Sequence, residues 1–206
     1  MSDADDHAKD VEFDIVDVDV RAWVEASRAD PTRYRDRQVT EIVLTAIGLA
    51  PSLHTNLVLK GGAAMALAFK STRVTGDVDF TSMVEPAELA GKLTPELNEL
   101  LPKTAIKLGY LDLLCQVQSV KKMPRAENFE DHDFPALRVR IGSAKRGTAE
   151  AARLAEGKAS RVLDVEISFR DHVYTFQELN LMGAGVAVRA FTIHELVAEK
   201  FRALLQ

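Results

Sequence analysis

The sequence predicts an α/β fold of the α+β kind, a small mixed sheet, mostly antiparallel, flanked by helices. Three observations carry that reading. Leu57-Val58-Leu59 reads as a buried strand, Gly61-Gly62 allows a tight turn, and Ala63 to Phe69 is a good helix former. Arg161 to Phe169 alternates, with Leu163, Val165, Ile167 and Phe169 on one face and Asp164, Glu166 and Ser168 on the other. Segments 31–49 and 193–205 repeat apolar residues at helical spacing behind clear start signals.

Taken in order, Val20 to Ser27 reads as a short helix with Trp23 as a core anchor. Asp30 then N-caps a helix that has Pro31 at its first position and runs to about Leu49. Glu85-Pro86 opens one helical region, and Thr94-Pro95-Glu96 starts a second that ends near Gly109. Leu111 to Val120 and Phe134 to Ile141 read as strands joined by a charged loop. Gly142 to Ser160, rich in Ala, Lys, Arg and Gly, reads as a long insertion or mobile arm. Thr192 and Glu195 form a capping box for the last helix, whose stripe is Ile193, Leu196, Val197, Phe201, Leu204 and Leu205.

Composition limits what the chain can be. Its 206 residues are one domain's worth, 47% of them hydrophobic. The single cysteine, Cys115, sits in an apolar run and reads as a buried thiol in a reducing compartment, which points to the cytoplasm. No export signal or membrane-spanning run is visible. The net charge is −5, but residues 1–20 hold eight acids against Lys9, a balance of −7, which leaves +2 for the rest. Residues 1–20 therefore read as a flexible acidic segment ahead of a domain spanning 21–206, and the overall acidity says little against a nucleic-acid substrate. The histidines lack paired metal-ligand spacing, and the glycine and serine patterns of P-loop, dinucleotide and serine-hydrolase enzymes are missing.

The chemistry concentrates between Leu57 and Phe80. Asp77 and Asp79 lie one residue apart among Val78, Phe80, Met83 and Val84, so both carboxylates should project from one face of a strand, their Cα atoms roughly 6–7 Å apart. Such a pair suits magnesium, with manganese as the alternative, because magnesium takes oxygen ligands and completes its shell with water and substrate phosphates. Amides at the Gly61-Gly62 turn and the following helix start could cradle those phosphates. Either half alone is weak, since a glycine pair is most often only a turn and Asp-x-Asp is common on exposed loops. Their order and spacing carry the weight.

Leu59-Lys60-Gly61-Gly62, a short helix, and Arg73-x-Thr75-x-Asp77-x-Asp79 together resemble the AbiEii/AbiGii-type nucleotidyltransferase toxins, including mycobacterial relatives that act on tRNA. These belong to the DNA polymerase β-like nucleotidyltransferase superfamily. The likeness covers residues 32–84 and 190–206, while the middle agrees only in its order of elements. Ala63 departs from the threonine common after the two glycines. The resemblance implies that Asp77 and Asp79 bind magnesium and that Lys60, Gly61, Gly62, Arg73 and Thr75 shape the nucleotide site. It also implies a third carboxylate on a neighbouring strand as metal ligand or base, either Glu166 or Asp164, with Glu166 favoured. Lys200, which by spacing alone is a snorkelling surface lysine, would contact phosphate.

The reaction so implied is transfer of a nucleoside monophosphate from an NTP to an RNA acceptor, a tRNA 3′ end being the acceptor suggested, with a cognate antitoxin as partner and no membrane. Two alternatives stay open: a phosphoryl or nucleotidyl transferase acting on a protein or small molecule, and a catalytically silent nucleotide- or RNA-binding module. Relatives continue past the helix that ends here with an Arg-Asp-x-x-Asp segment, so the resemblance implies a domain truncated at Gln206.

Overall fold

Eight strands in a single mixed sheet organise the chain, in a computed structural model that describes residues 14–72 and 76–205. In chain order the elements are β1 (Ile15–Val18), α1 (Val20–Glu25), α2 (Pro31–Leu49), α3 (Pro51–Asn56), β2 (Leu57–Lys60), α4 (Gly61–Ala68), β3 (Asp77–Ser82) and α5 (Pro86–Lys107). There follow β4 (Leu113–Met123), a 3-10 turn (Phe129–Asp131), β5 (Ala136–Lys145), α6 (Ala149–Ala155), β6 (Arg161–Ser168), β7 (Phe176–Leu181), β8 (Val186–Phe191) and α7 (Ile193–Leu205). The sheet order is β1-β7-β8-β2-β3-β6-β5-β4. Pairings β1/β7, β2/β8 and β3/β6 are parallel and the other four antiparallel, which agrees with the mixed, mostly antiparallel sheet expected.

The helical starts behave as read. Asp30 accepts from the backbone N–H groups of Thr32 and Arg33, both at 3.1 Å, and Pro31 opens α2. Trp23 packs against the core under the Arg37 guanidinium, 4.4 Å from its ring centre. Thr192 accepts from the Glu195 N–H at 3.3 Å, but only half the capping box forms. The Glu195 carboxylate instead accepts from the Tyr174 and Thr175 amides, both at 3.1 Å, tying the loop after β6 to the start of α7.

Three expectations are corrected. The two helices expected from Pro86 to Gly109 are one, and α5 runs through Pro95 and Pro102. Leu89, Leu93, Leu97 and Leu101, four residues apart, are fully buried along it. Each internal proline costs about 3 kcal/mol, and four buried leucines at about 1.5–3 kcal/mol each offset both. Segment 142–160 is not a mobile arm: β5 continues to Lys145, and α6 packs so closely on the sheet that a Cβ on Gly142 would lie 2.8 Å from Leu154 Cδ1. The folded part also begins before residue 21, because β1 pairs with β7, Val18 and Val20 are buried, and Asp19 caps α1 through the Ala22 amide.

Residues 176–191, for which no element is expected above, form the β7/β8 hairpin. Its alternation, with Gln177, Leu179 and Leu181 buried, and the left-handed Gly183 and Gly185 in its turn are the signals that could have found it. The core lies between the sheet and α2 and α5, with α5 over β4 and β5 and α2 over β8 and β6. Cys115 is buried there, and burial pushes its thiol up to about 12. The opposite sheet face is polar at its centre, and α4 and α7 border it. Among the described residues no helix is long and apolar enough to cross a membrane.

Candidate active site

Val78 and Phe80 fix the direction of β3. Both are buried in the core, so the period of two turns Asp77 and Asp79 to the polar face. Strand register then assembles two rows across that face. Lys60 of β2 stands opposite Asp79, which neighbours Glu166 of β6, which in turn neighbours Arg138 of β5. Beside this row, Asp77 neighbours Asp164, and Asp164 neighbours Arg140. The arginines pair with the β6 acids: Arg138 Nη2 is 3.0 Å from Glu166 Oε2, and Arg140 Nε is 3.5 Å from Asp164 Oδ1.

Gly61 is required by both conformation and space. Its φ is +63°, and a Cβ there would lie 2.1 Å from Asp79 Oδ2. The Asp79 carboxylate thus rests against the first turn of α4, where the opening N–H groups have no partner within the helix. Rather than a turn preceding a helix, Gly61 and Gly62 are themselves that helix's first residues.

The acids crowd one another. Burial, then the neighbouring Asp77 charge, pushes the Asp79 carboxyl from 3.8 up to about 6, with Glu166 and Glu199 adding to the rise and Lys60 opposing it. Behind Asp79, the Lys60 ammonium lies 2.8 Å from Asp171 Oδ2 and 2.8 Å from Glu199 Oε1. Burial alone would pull the Lys60 pKa down, but these two carboxylates outweigh it and hold it above its ordinary value. Burial likewise opposes ionisation of Asp171, and Lys60, with hydrogen bonds from Ser168 and Thr81, holds its carboxyl below the usual range.

Sequence reading missed Asp171 and Glu199 as site residues. Glu199 lies three residues after the buried Leu196 on α7, a spacing that could have placed it; Asp171 is in an aperiodic loop and left no signal. Lys200 is exposed and lines a cleft of about 560 Å³ together with Gly61, Gly62, Asp77, Asp79 and the apolar residues Met65 and Val197. Arg73 and Thr75 lie outside the described residues.

A divalent cation fits the Asp77/Asp79 pair. Burial, and then the neighbouring Asp77 charge, hold the Asp79 carboxyl up at about 6, and a cation would offset both. Among the described residues no three His, Cys, Asp or Glu side chains come together to hold a metal on their own. Glu166 and Asp164 are occupied by arginines, so water and substrate phosphate would complete the shell, which suits magnesium.

A family model described as "Nucleotidyl transferase AbiEii toxin, Type IV TA system" matches residues 43–206. The chain belongs to the AbiEii family. The AbiEii match begins within α2 and takes in every strand and helix that builds the acid rows. AbiEii proteins are nucleotidyltransferase toxins of type IV toxin-antitoxin systems. No curated protein matches the chain. Among solved structures it is similar to JHP933 from Helicobacter pylori, at 16% identity and a TM-score of 0.51 over 83% of this AbiEii chain. The chain spans 56% of that protein, and at this identity the likeness speaks to the fold alone.

Proposed function

We propose that this chain transfers a nucleoside monophosphate from an NTP to an RNA acceptor, a tRNA 3′ end being the acceptor first to be tried, in a reaction that uses magnesium. The observation that carries this reading is the Asp79 carboxylate seated on Gly61 at the start of α4, beside Asp77 and facing a cleft wide enough for a nucleotide. Asp77 and Asp79 would hold magnesium, which when bound supplies Lewis-acid stabilisation of charge on phosphate oxygens. The first-turn amides of α4 would take phosphate oxygens, and Lys200 would supply a positive charge from the opposite wall. Met65, Val197 and the rest of the apolar wall would exclude water around the base and sugar.

Glu166, held by Arg138 next to Asp79, would accept the proton of the attacking hydroxyl. The hydroxyl oxygen's bond to the α-phosphorus would form as the bond to the pyrophosphate oxygen breaks. Lys60 contributes by fixing Glu199 and the loop bearing Asp171, so that α7 and β3 keep their spacing. A cognate antitoxin is the partner the family implies.

The test is incubation of the protein with total RNA, magnesium and each NTP labelled at the α- or the γ-phosphorus. Retention of α label in RNA, lost in Asp79→Asn, is the expected result. Transfer of γ label, or α label appearing on protein or a small molecule, replaces this reading with a different transferase. NTP binding by calorimetry without any turnover replaces it with a silent binding module.

A further inference from the structure

The polar face does not end at the acids. Register carries the row Lys60, Asp79, Glu166, Arg138 one strand further, to Lys121 on the edge strand β4, and the second row from Arg140 to Ser119. Lys121, Arg125, Arg138 and Arg140, with Met123 and a single acid, Asp164, line a hollow of about 420 Å³ on this side of the site. Its charged residues balance to +3, four cations against one acid, in a chain whose net charge is −5.

Lys121 faces this way because of a β-bulge. The register shifts between Val117 and Ser119, so Val117 stands opposite the core residue Ile141 whereas Ser119 and Lys121 stand opposite Arg140 and Arg138. Without the extra residue, strict alternation from Val117 would turn Ser119 and Lys121 toward the core. Arg138 and Arg140 are each partly neutralised by a β6 acid, but neither Lys121 nor Arg125 has a carboxylate within ion-pair distance among the described residues.

We propose that this hollow is a phosphate-binding track for the backbone of a single-stranded nucleic acid. Resting on the transfer reading above, it would lead the acceptor's terminal hydroxyl to Glu166 and Asp79. Three features favour a polyanion of that kind. The cations form a line that ends at the carboxylates rather than a patch remote from them. Three of the four are exposed or only half-buried on rigid strands, where neighbouring positions on one face repeat at roughly 6–7 Å. Arginine's planar fork also suits phosphate oxygens, and incoming phosphates could exchange with Glu166 and Asp164 on the two arginines.

The test measures binding of a fluorescent 20-nucleotide single-stranded RNA to the parent chain, to Lys121→Ala/Arg125→Ala and to Lys121→Glu/Arg125→Glu, at several salt concentrations and without NTP. RNA affinity should fall at least about tenfold in the alanine double variant and further in the charge-reversed one. The slope of log affinity against log salt should shrink by about 1.4, near 0.7 for each lost phosphate contact. Magnesium-NTP binding by calorimetry should not change.

Equal RNA affinity and slope in the alanine double variant would overturn the track, as would parent binding that ignores salt, a result that needs no variant. A polyglutamate peptide that competes with the RNA at equal concentration would assign the hollow to an acidic protein surface instead. The two readings fail separately. RNA bound through Lys121 and Arg125 but never modified removes the transfer reading and keeps the track, whereas transfer equally efficient in parent and variants removes the track and keeps the transfer reading.

Discussion

Two regions of one sheet face handle charge in opposite ways. On β3, Asp77 and Asp79 stand side by side, and the second is pressed against Gly61 with its carboxyl pushed up to about 6. On β5, two strands away, Arg138 and Arg140 each meet an acid from β6 across a register pair. On β3, burial and then the neighbouring acid oppose ionisation of Asp79, whereas the β5 arginines are partly neutralised by their neighbours. A carboxyl held above its ordinary range by burial and a neighbouring acid is a group that a divalent counter-charge would stabilise. Self-compensated charge half open to solvent contributes little to stability, about 0–1 kcal/mol per pair.

The largest expected effect tests the β3 side. Asp77→Asn or Asp79→Asn should lower nucleotide transfer by orders of magnitude while leaving the fold intact, because an amide keeps the shape and loses the charge. A single-turnover assay beside a thermal melt checks this, and full activity in Asp79→Asn would remove β3 from the chemistry.

Next comes Gly61→Ala. An added Cβ cannot share space with Asp79 Oδ2 at 2.1 Å, and a φ of +63° is itself strained for alanine. The variant should lose about 1–3 kcal/mol of stability and most of its transfer, since the carboxylate must move. Urea unfolding and the transfer assay read the two losses, and an unaltered midpoint would mean the contact is slack.

Lys60→Met should follow, leaving Asp171 and Glu199 without their shared cation. Because both acids retain some solvent, the expected loss is about 2 kcal/mol, below that of a fully buried broken pair. A double variant, Lys60→Met with Glu199→Gln, should recover part of it, and no recovery would sink the pairing argument.

The pH dependence sharpens the comparison further. Asp79 titrates near 3.8 unfolded and at about 6 folded, so between these values the folded state holds a proton that the unfolded state has released. Its contribution favours folding at low pH and is lost as pH rises through 6. Asp79→Asn should therefore melt higher than the metal-free parent above pH 6, with the gap closing toward pH 4, and a gap independent of pH would show the carboxyl is not crowded.

The smallest effect belongs to the compensated side. Arg140→Ala should change the melting midpoint by a degree or two at most, because its pair with Asp164 is exposed. A loss as large as that of Lys60→Met would mean the two regions are not different after all.

Much was legible from the chain alone. Asp77 and Asp79 sit one residue apart in a run of strand-forming neighbours, and a period of two permits only one arrangement of their side chains. Asp30-Pro31 and the alternation of β6 are similarly local, so α2 and the polar row of Asp164, Glu166 and Ser168 could be read without a partner element. What the tertiary structure decided was which local pattern would be overruled and which distant residues would meet. Pro95 and Pro102 are helix breakers until a stripe of leucines has a core to enter, and α5 forms because it does. Asp171 and Glu199 come together on Lys60 from a loop and a helix more than 100 residues downstream, a contact no periodicity encodes. The bulge before Ser119 reverses the parity of β4 and turns Lys121 toward the acids, and a reversal of that kind is fixed by pairing with β5, since one strand's alternation cannot reveal an extra residue until another strand counts against it.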